Sequence, residues 1–248
     1  MSSSTIVLIT GANSGIGYAT AKLISSEPDY HVIMACRDTI KGQEALAEIE
    51  ASNPKGTLSM LQLDVTNAES INAGVSEIQK EFGRVDVFIS NAGISAPEDT
   101  GSEKLRKIFA TNVTGAFTAS EGFVGLLLKS ERPYLIQISS GLGSMGLATD
   151  QESIWYKWAS DEYRMSKAAL NMATIQQHKR LESQNVRVFA YCPGLVRSNL
   201  RGKSEQARTA GGMAGDPIDS ARGLFDIIQG RRDADVGRFV YATGIWPW

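Results

Sequence analysis

The sequence predicts an α/β chain built on a doubly wound, mostly parallel sheet of about seven strands with helices on both faces. Three observations point there. Short β-branched runs alternate with stretches of helical periodicity along nearly the whole chain. A glycine-rich turn joins the first strand to the first helix. No linker, repeat or low-complexity stretch divides the 248 residues, so one sheet should take 1–248 as a single domain.

The elements follow in order. Residues 6–9 are an apolar run of Ile, Val and Leu bounded by glycine, which reads as a buried parallel strand. Helical periodicity covers 15–26, and a second strand covers 31–35. Residues 40–51, rich in Glu, Ala and Leu, form an amphipathic helix. A third strand at 58–63, a helix at 68–82 and a fourth strand at 85–89 continue the rhythm. Residues 103–130 are helical with glycines in the middle. A strand at 134–138, a helix at 162–183, a strand at 186–191 and a short seventh strand at 238–241 complete the set. Right-handed crossovers between such units give a parallel sheet. Two segments break the rhythm, 141–161 and 197–216, and both follow strand ends, where open parallel sheets bind ligands.

Composition removes several classes of function. With 25 basic and 27 acidic residues the net charge is −2, so no basic footprint for nucleic acid is expected. Cys36 and Cys192 do not make a disulfide framework, which fits a reducing compartment. His31 and His178 are too few for a zinc hydrolase or a histidine triad, so no metal is expected. Residues 1–4 are a short polar lead without the features of a signal peptide. The longest apolar block, 123–128, is far short of a membrane span. The expected setting is the cytoplasm.

The turn after the first strand reads Thr10-Gly11-Ala12-Asn13-Ser14-Gly15-Ile16-Gly17. Its glycines let the backbone turn tightly and approach a pyrophosphate, and the helix N-terminus behind them offers free N–H groups. Strand, turn and helix come in the order a Rossmann-type dinucleotide site requires. The spacing is G-x-x-x-G-x-G, and no Lys-Ser/Thr pair follows, which argues against an ATPase P-loop. At the end of the second strand, Cys36 stands where a ribose-binding carboxylate is expected, and Arg37 comes next. Arginine can clamp a 2′-phosphate, so NADP(H) is favoured and NAD(H) stays open; Asp38 can cap the next helix or reach the ribose. Asp64 and Val65 end the third strand, where a carboxylate can accept the adenine amino group. Asn91, Ala92 and Gly93 end the fourth, leaving room for a ribose.

Tyr163 and Lys167 stand at i and i+4 of a helix and therefore share a face. A nearby ammonium should favour the phenolate and bring the phenol toward the working range as a general acid. Ser139 and Ser140 end the fifth strand just upstream, facing the same crevice. Asn112 adds an amide that could hold a water beside the lysine.

Taken together, the chain resembles the short-chain dehydrogenase/reductase family along essentially its full length. The resemblance rests on residues 10–17, Asn91 to Gly93, Asn112, Ile138-Ser139-Ser140, Tyr163 with Lys167, and Pro193-Gly194-Leu195-Val196. Residues 37–43 are similar to the same stretch of NADPH-dependent carbonyl reductases. The resemblance implies that Tyr163 donates the proton to a carbonyl oxygen and that Ser140 orients that oxygen. It implies that Lys167 binds the nicotinamide ribose and that Asn112 positions a relay water. Pro193, Gly194 and Val196 would line the nicotinamide, and Ser198 stands where threonine is common. The chain departs from the family at Ser90, where Asn is usual, and in the long step from Ser140 to Tyr163. That insertion carries Trp155, Tyr156 and Trp158, which are expected to form a lid or wall for an apolar substrate. Together with the segment around Met213 it points to a bulky ketone or aldehyde, or the matching alcohol. Other readings of the same motifs are a nicotinamide-binding regulator without turnover and a non-redox lyase or cyclase. Oligomeric state stays open among monomer, homodimer and homotetramer. Trp246 and Trp248 are expected to pack on this subunit or on a neighbour.

Overall fold

A computed structural model describes residues 4–248; of the polar lead, residues 1–3 lie outside the described residues. Eight strands form one sheet in the order β3-β2-β1-β4-β5-β6-β7-β8. They are β1 (Thr5–Thr10), β2 (Tyr30–Cys36), β3 (Thr57–Gln62), β4 (Val87–Ser90), β5 (Tyr134–Ile138), β6 (Arg187–Cys192), β7 (Phe239–Tyr241) and β8 (Gly244–Trp246). The first seven run parallel, as expected. The eighth corrects the expectation of seven. Only two residues separate it from β7, so it folds back as an antiparallel hairpin arm, with Val240 opposite Ile245.

The helices are α1 (Gly15–Ser25), α2 (Thr39–Glu50), α3 (Ala68–Glu81), α4 (Gly101–Phe109), α5 (Ala116–Leu127), α6 (Met145–Thr149), α7 (Asp161–Leu181), α8 (Glu205–Arg208) and α9 (Pro217–Ile228). Sequence periodicity pointed to neither α6, α8 nor α9, although Asp216 caps α9 and Pro217 occupies its first turn. The strands alternate between two cores. Val7, Ile9, Val32 and Met34 pack under α1, α2 and α9 through Ile24, Ile49 and Leu224. Ile6, Leu8, Ile33 and Phe88 pack under α3 and α5 through Ile71, Phe123 and Leu127. Strands buried on both faces need apolar side chains at every position, which is why they read as continuous runs.

The segment predicted as one helix over 103–130 is α4 and α5 joined by a π-helical stretch, Ala110–Gly115. Such widened turns recur at functional sites, and this one holds Asn112. The strand order reverses between β1 and β4, so their C-terminal ends open a crevice. No helix of the described residues is long and apolar enough to cross a membrane.

Candidate active site

A cleft of 980 Å³ runs across the C-terminal ends of the strands. One end is lined by Gly11, Asn13, Ser14, Gly15 and Ile16 after β1, by Arg37 and Asp38 after β2, and by Asp64 and Val65 after β3. The middle holds Asn91, Ala92 and Gly93 after β4. The other end brings in Ser140, Tyr163, Lys167, Pro193, Gly194, Val196 and Ser198. Six strand ends and the helix α7, far apart in sequence, thus deliver the predicted residues to one crevice. Gly17 and Asn112 do not line it; both are buried behind its wall.

The phosphate turn is set by close packing. A Cβ on Gly17 would stand 2.6 Å from the Asn91 amide nitrogen and 2.6 Å from the Gly11 carbonyl. That Asn91 amide donates to the carbonyls of Thr10 at 2.9 Å and Gly11 at 3.1 Å. The Thr10 hydroxyl accepts from the N–H groups of Asn91 and Ala92. Asn91 therefore fastens the end of β4 to the turn after β1. Ser14 precedes α1 in an extended conformation, and its side chain makes no capping bond. The first N–H groups of α1 have no partner within the helix, and Gly15 and Ile16 line the cleft. Arg37 is exposed at the rim and has no carboxylate within ion-pair distance among the described residues. Free N–H groups, a free hydroxyl and an unpaired guanidinium in one cleft fit the phosphates of a dinucleotide.

Two predicted cofactor residues have local partners. Asp38 caps α2 by accepting from the Lys41 N–H at 3.1 Å, and it pairs with the Lys41 ammonium at 2.9 Å. These bonds hold its carboxyl below the ordinary value. Asp64 accepts from the N–H and hydroxyl of Thr66. Ser198 caps a short helical turn, Asn199–Arg201, and its Cβ would lie 3.5 Å from a side chain on Gly15, so both cleft walls approach there.

The Asn112 side chain is engaged with protein partners. Its carbonyl accepts from the Ile94 N–H at 2.8 Å, and its amide donates to the Ile94 carbonyl at 2.9 Å and to Ser166 at 3.2 Å. Both amide hydrogens are used, so the side chain pins the loop after β4 to α7 and has no donor left for a water.

Ser140, Tyr163 and Lys167 meet at the end of β5. The Ser140 hydroxyl neighbours the Tyr163 phenol and favours its ionised form. Lys167, almost fully buried, donates to the carbonyl of Ile138 at 2.8 Å. Burial lowers its pKa to about 8. The expected depression of the Tyr163 phenol is not found. Burial above all, and the negative charge of Cys192 when ionised, push it well up, while Ser140 and the charge of Arg201 pull it down by less. The Lys167 nitrogen lies 5.6 Å from the centre of the Tyr163 ring and is turned toward Ile138, which explains why it contributes little.

The aromatic insertion corrects a further expectation. None of 141–161 lines the cleft. Trp155 packs on Gly141, and Arg164 donates to the carbonyls of Trp155 and Trp158, folding the segment against α7. Met213 is also outside the cleft. The wall is built instead by Ile94 to Asp99 and by Asn199 to Lys203. Arg201, half-buried there, donates to the carbonyls of Val196, Ala207 and Arg208 and faces Tyr163. Sequence reading found its segment, 197–216, through length and composition; no local pattern marked Arg201 itself. Cys36 and Cys192 are free and buried. Among the described residues no cluster of His, Cys, Asp or Glu could hold a metal ion.

Compared with known proteins, residues 5–209 match the family model described as short chain dehydrogenase. The chain is 34% identical over 264 aligned residues to the short-chain dehydrogenase/reductase tropE of Talaromyces stipitatus, covering 98% of this chain and 97% of that protein. It is 32% identical over 271 aligned residues to the short-chain dehydrogenase/reductase eupG of a Phoma species, with the same coverage. Its fold superposes on the NADPH-bound carbonyl reductase from chicken fatty liver with a TM-score of 0.83 at 25% identity, covering 99% of this chain and 100% of that one.

Proposed function

The chain belongs to the short-chain dehydrogenase family, an oxidoreductase family acting on CH–OH groups, and from that premise we propose that it is an NADPH-dependent reductase of ketones or aldehydes. The observation that carries this reading is the meeting of Ser140, Tyr163 and Lys167 at one end of a cleft whose other end fits a dinucleotide. Arg37, unpaired at the ribose end, supports the phosphorylated cofactor, and the NADPH in the chicken carbonyl reductase is consistent with it.

Asn13 to Ile16 and Arg37 would hold the phosphates, and Lys167 the nicotinamide ribose. The bound nicotinamide supplies a hydride to the carbonyl carbon. Ser140 donates a hydrogen bond to the carbonyl oxygen and fixes its place. Tyr163 transfers its phenolic proton to that oxygen as the C–O double bond becomes a C–O single bond, and an alcohol leaves. The high pKa of the phenol keeps it protonated at neutral pH, the form reduction needs. The reverse, alcohol oxidation, uses the same atoms. Ile94, Ala96, Pro97 and Leu200 offer apolar surface to a bulky substrate, and Arg201 and Lys203 give that end a polar rim. The two buried thiols fit a reducing, cytoplasmic setting.

A panel of acetone, acetophenone, menadione and a steroid ketone with each nicotinamide tests the reading. Loss of NADPH absorbance with the larger ketones is expected. Conversion of a substrate without any nicotinamide, or turnover of acetone alone, would contradict it.

A further inference from the structure

We infer that the segment 244–248, acting with Trp155, is a clamp that positions the turn carrying Ser140. The inference rests on the proposed role of Ser140 as the group that places the carbonyl oxygen. Neither 244–248 nor 141–161 lines the cleft, so the clamp acts on the site through that turn.

Ser140 opens a tight helical turn, Gly141–Gly143, and its hydroxyl accepts from the Leu142 N–H at 3.2 Å. The turn is held between two layers. Below it is α7: a Cβ on Gly143 would stand 2.6 Å from the main chain of Lys167, and Asn171 donates to the Gly143 carbonyl at 3.2 Å. Above it lies Trp155, whose ring would be 3.2 Å from a Cβ on Gly141. The close fit on both sides leaves the turn one position.

The upper layer is held to α7 through its main chain, by the Arg164 bonds to the carbonyls of Trp155 and Trp158, which do not touch the indole of Trp155. Residues 150–160 form no regular element, and an indole on such a segment stays in place only if something backs it. The backing comes from β8 and the residues after it. Trp246 meets the edge of Trp155 at 6.5 Å between ring centres and stacks on Tyr241 of β7 at 4.2 Å. Trp248 stacks on Phe239 at 5.7 Å. Rings anchored on the sheet thus hold Trp155 down on Gly141. Two hydrogen bonds fix the far side of the turn. The Ser144 hydroxyl donates to the Pro247 carbonyl at 2.6 Å, and the Gly146 N–H donates to the Trp248 carbonyl at 3.0 Å. The turn is therefore tied at both ends, to α7 and to the sheet edge. A catalytic hydroxyl displaced by about 1 Å can lose on the order of 10²-fold in rate, so this rigidity has a direct chemical use.

The test compares Trp246→Ala, Trp246→Phe and Ser144→Ala in the full chain. Amide hydrogen exchange is followed across 141–146, together with the NADPH dissociation constant and kcat and KM for acetophenone or menadione. In Trp246→Ala, exchange at 141–146 should accelerate while the strands stay protected. Its kcat should fall about tenfold or more, with NADPH binding changed less than about twofold. Trp246→Phe, which keeps a ring on Tyr241, should recover most of kcat, and Ser144→Ala should fall between the two. Unchanged exchange at 141–146 in Trp246→Ala, or unchanged kcat, would overturn the clamp. So would a parallel loss of NADPH binding that Trp246→Phe does not restore. If Trp246→Ala does not fold, Ser144→Ala decides by the same readouts. Absence of turnover in every protein, wild type included, would count against the proposed function, while exchange would still decide the clamp.

Discussion

The Lys167 ammonium donates to the carbonyl oxygen of Ile138 at 2.8 Å, joining the second turn of α7 to the last residue of β5. Ser140 lies two residues beyond Ile138, and Tyr163 lies one turn before Lys167. A single buried bond thus sets the two proton-handling groups side by side. It also directs the charge of Lys167 to a main-chain oxygen and away from the phenol.

This burial has a pH signature. The Lys167 pKa is about 8 in the folded chain and near 10.4 when unfolded. Between those values the unfolded chain binds more protons, so this group makes folding more favourable as pH rises. Lys167→Met lacks the effect. The stability of the variant relative to wild type should fall by roughly 3 kcal/mol from pH 7 to pH 10.5, measured by urea denaturation. A constant difference across that range would contradict the burial of a charged Lys167.

Arg37 is predicted to choose the cofactor. Its guanidinium is exposed in the cleft, and a charge-assisted bond to a 2′-phosphate contributes about 1.5–3 kcal/mol. Arg37→Ser should weaken NADPH binding at least about tenfold and leave NADH binding nearly unchanged, by fluorescence titration.

Asn112 is predicted to matter first for stability. Asn112→Ala leaves the N–H and carbonyl of Ile94 without the partners they have now. Losing them should cost about 2–3 kcal/mol and lower the thermal midpoint by roughly 5–10 °C. Turnover should fall as well, because the loop after β4 forms part of the cleft wall.

Gly17→Ala tests the phosphate turn. The new methyl would sit 2.6 Å from the Gly11 carbonyl, which is backbone and must move. NADPH affinity should drop about tenfold or more, with a destabilisation of about 1–3 kcal/mol seen by calorimetry. Unchanged affinity would show that the turn does not set the cofactor site.

Much of this was legible in the sequence because it is local. β-branched runs, the glycines of 11–17, the i, i+4 pair of Tyr163 and Lys167 and the serines after β5 each announce themselves within a few residues. What was not legible depends on contacts across the sheet. The partners of Asn112 at Ile94 and Ser166 lie 18 and 54 residues away, beyond any local pattern. Trp155 looked like substrate wall, and only packing against Gly141 and Trp246 shows it facing away from the cleft. The phenol was expected to be lowered by a neighbouring charge, a balance that burial reverses. β8 was hidden because three residues at an edge carry too little pattern to read.

Proton transfer from Tyr163 is the centre of the account, and Tyr163→Phe measures it with the ring kept in place. Mixed with NADPH and a carbonyl compound that wild type reduces, the variant should bind NADPH with about wild-type affinity and lose at least about 10²-fold in the single-turnover rate of NADPH oxidation. An unchanged single-turnover rate would mean that the proton comes from elsewhere and that this phenol is not the acid.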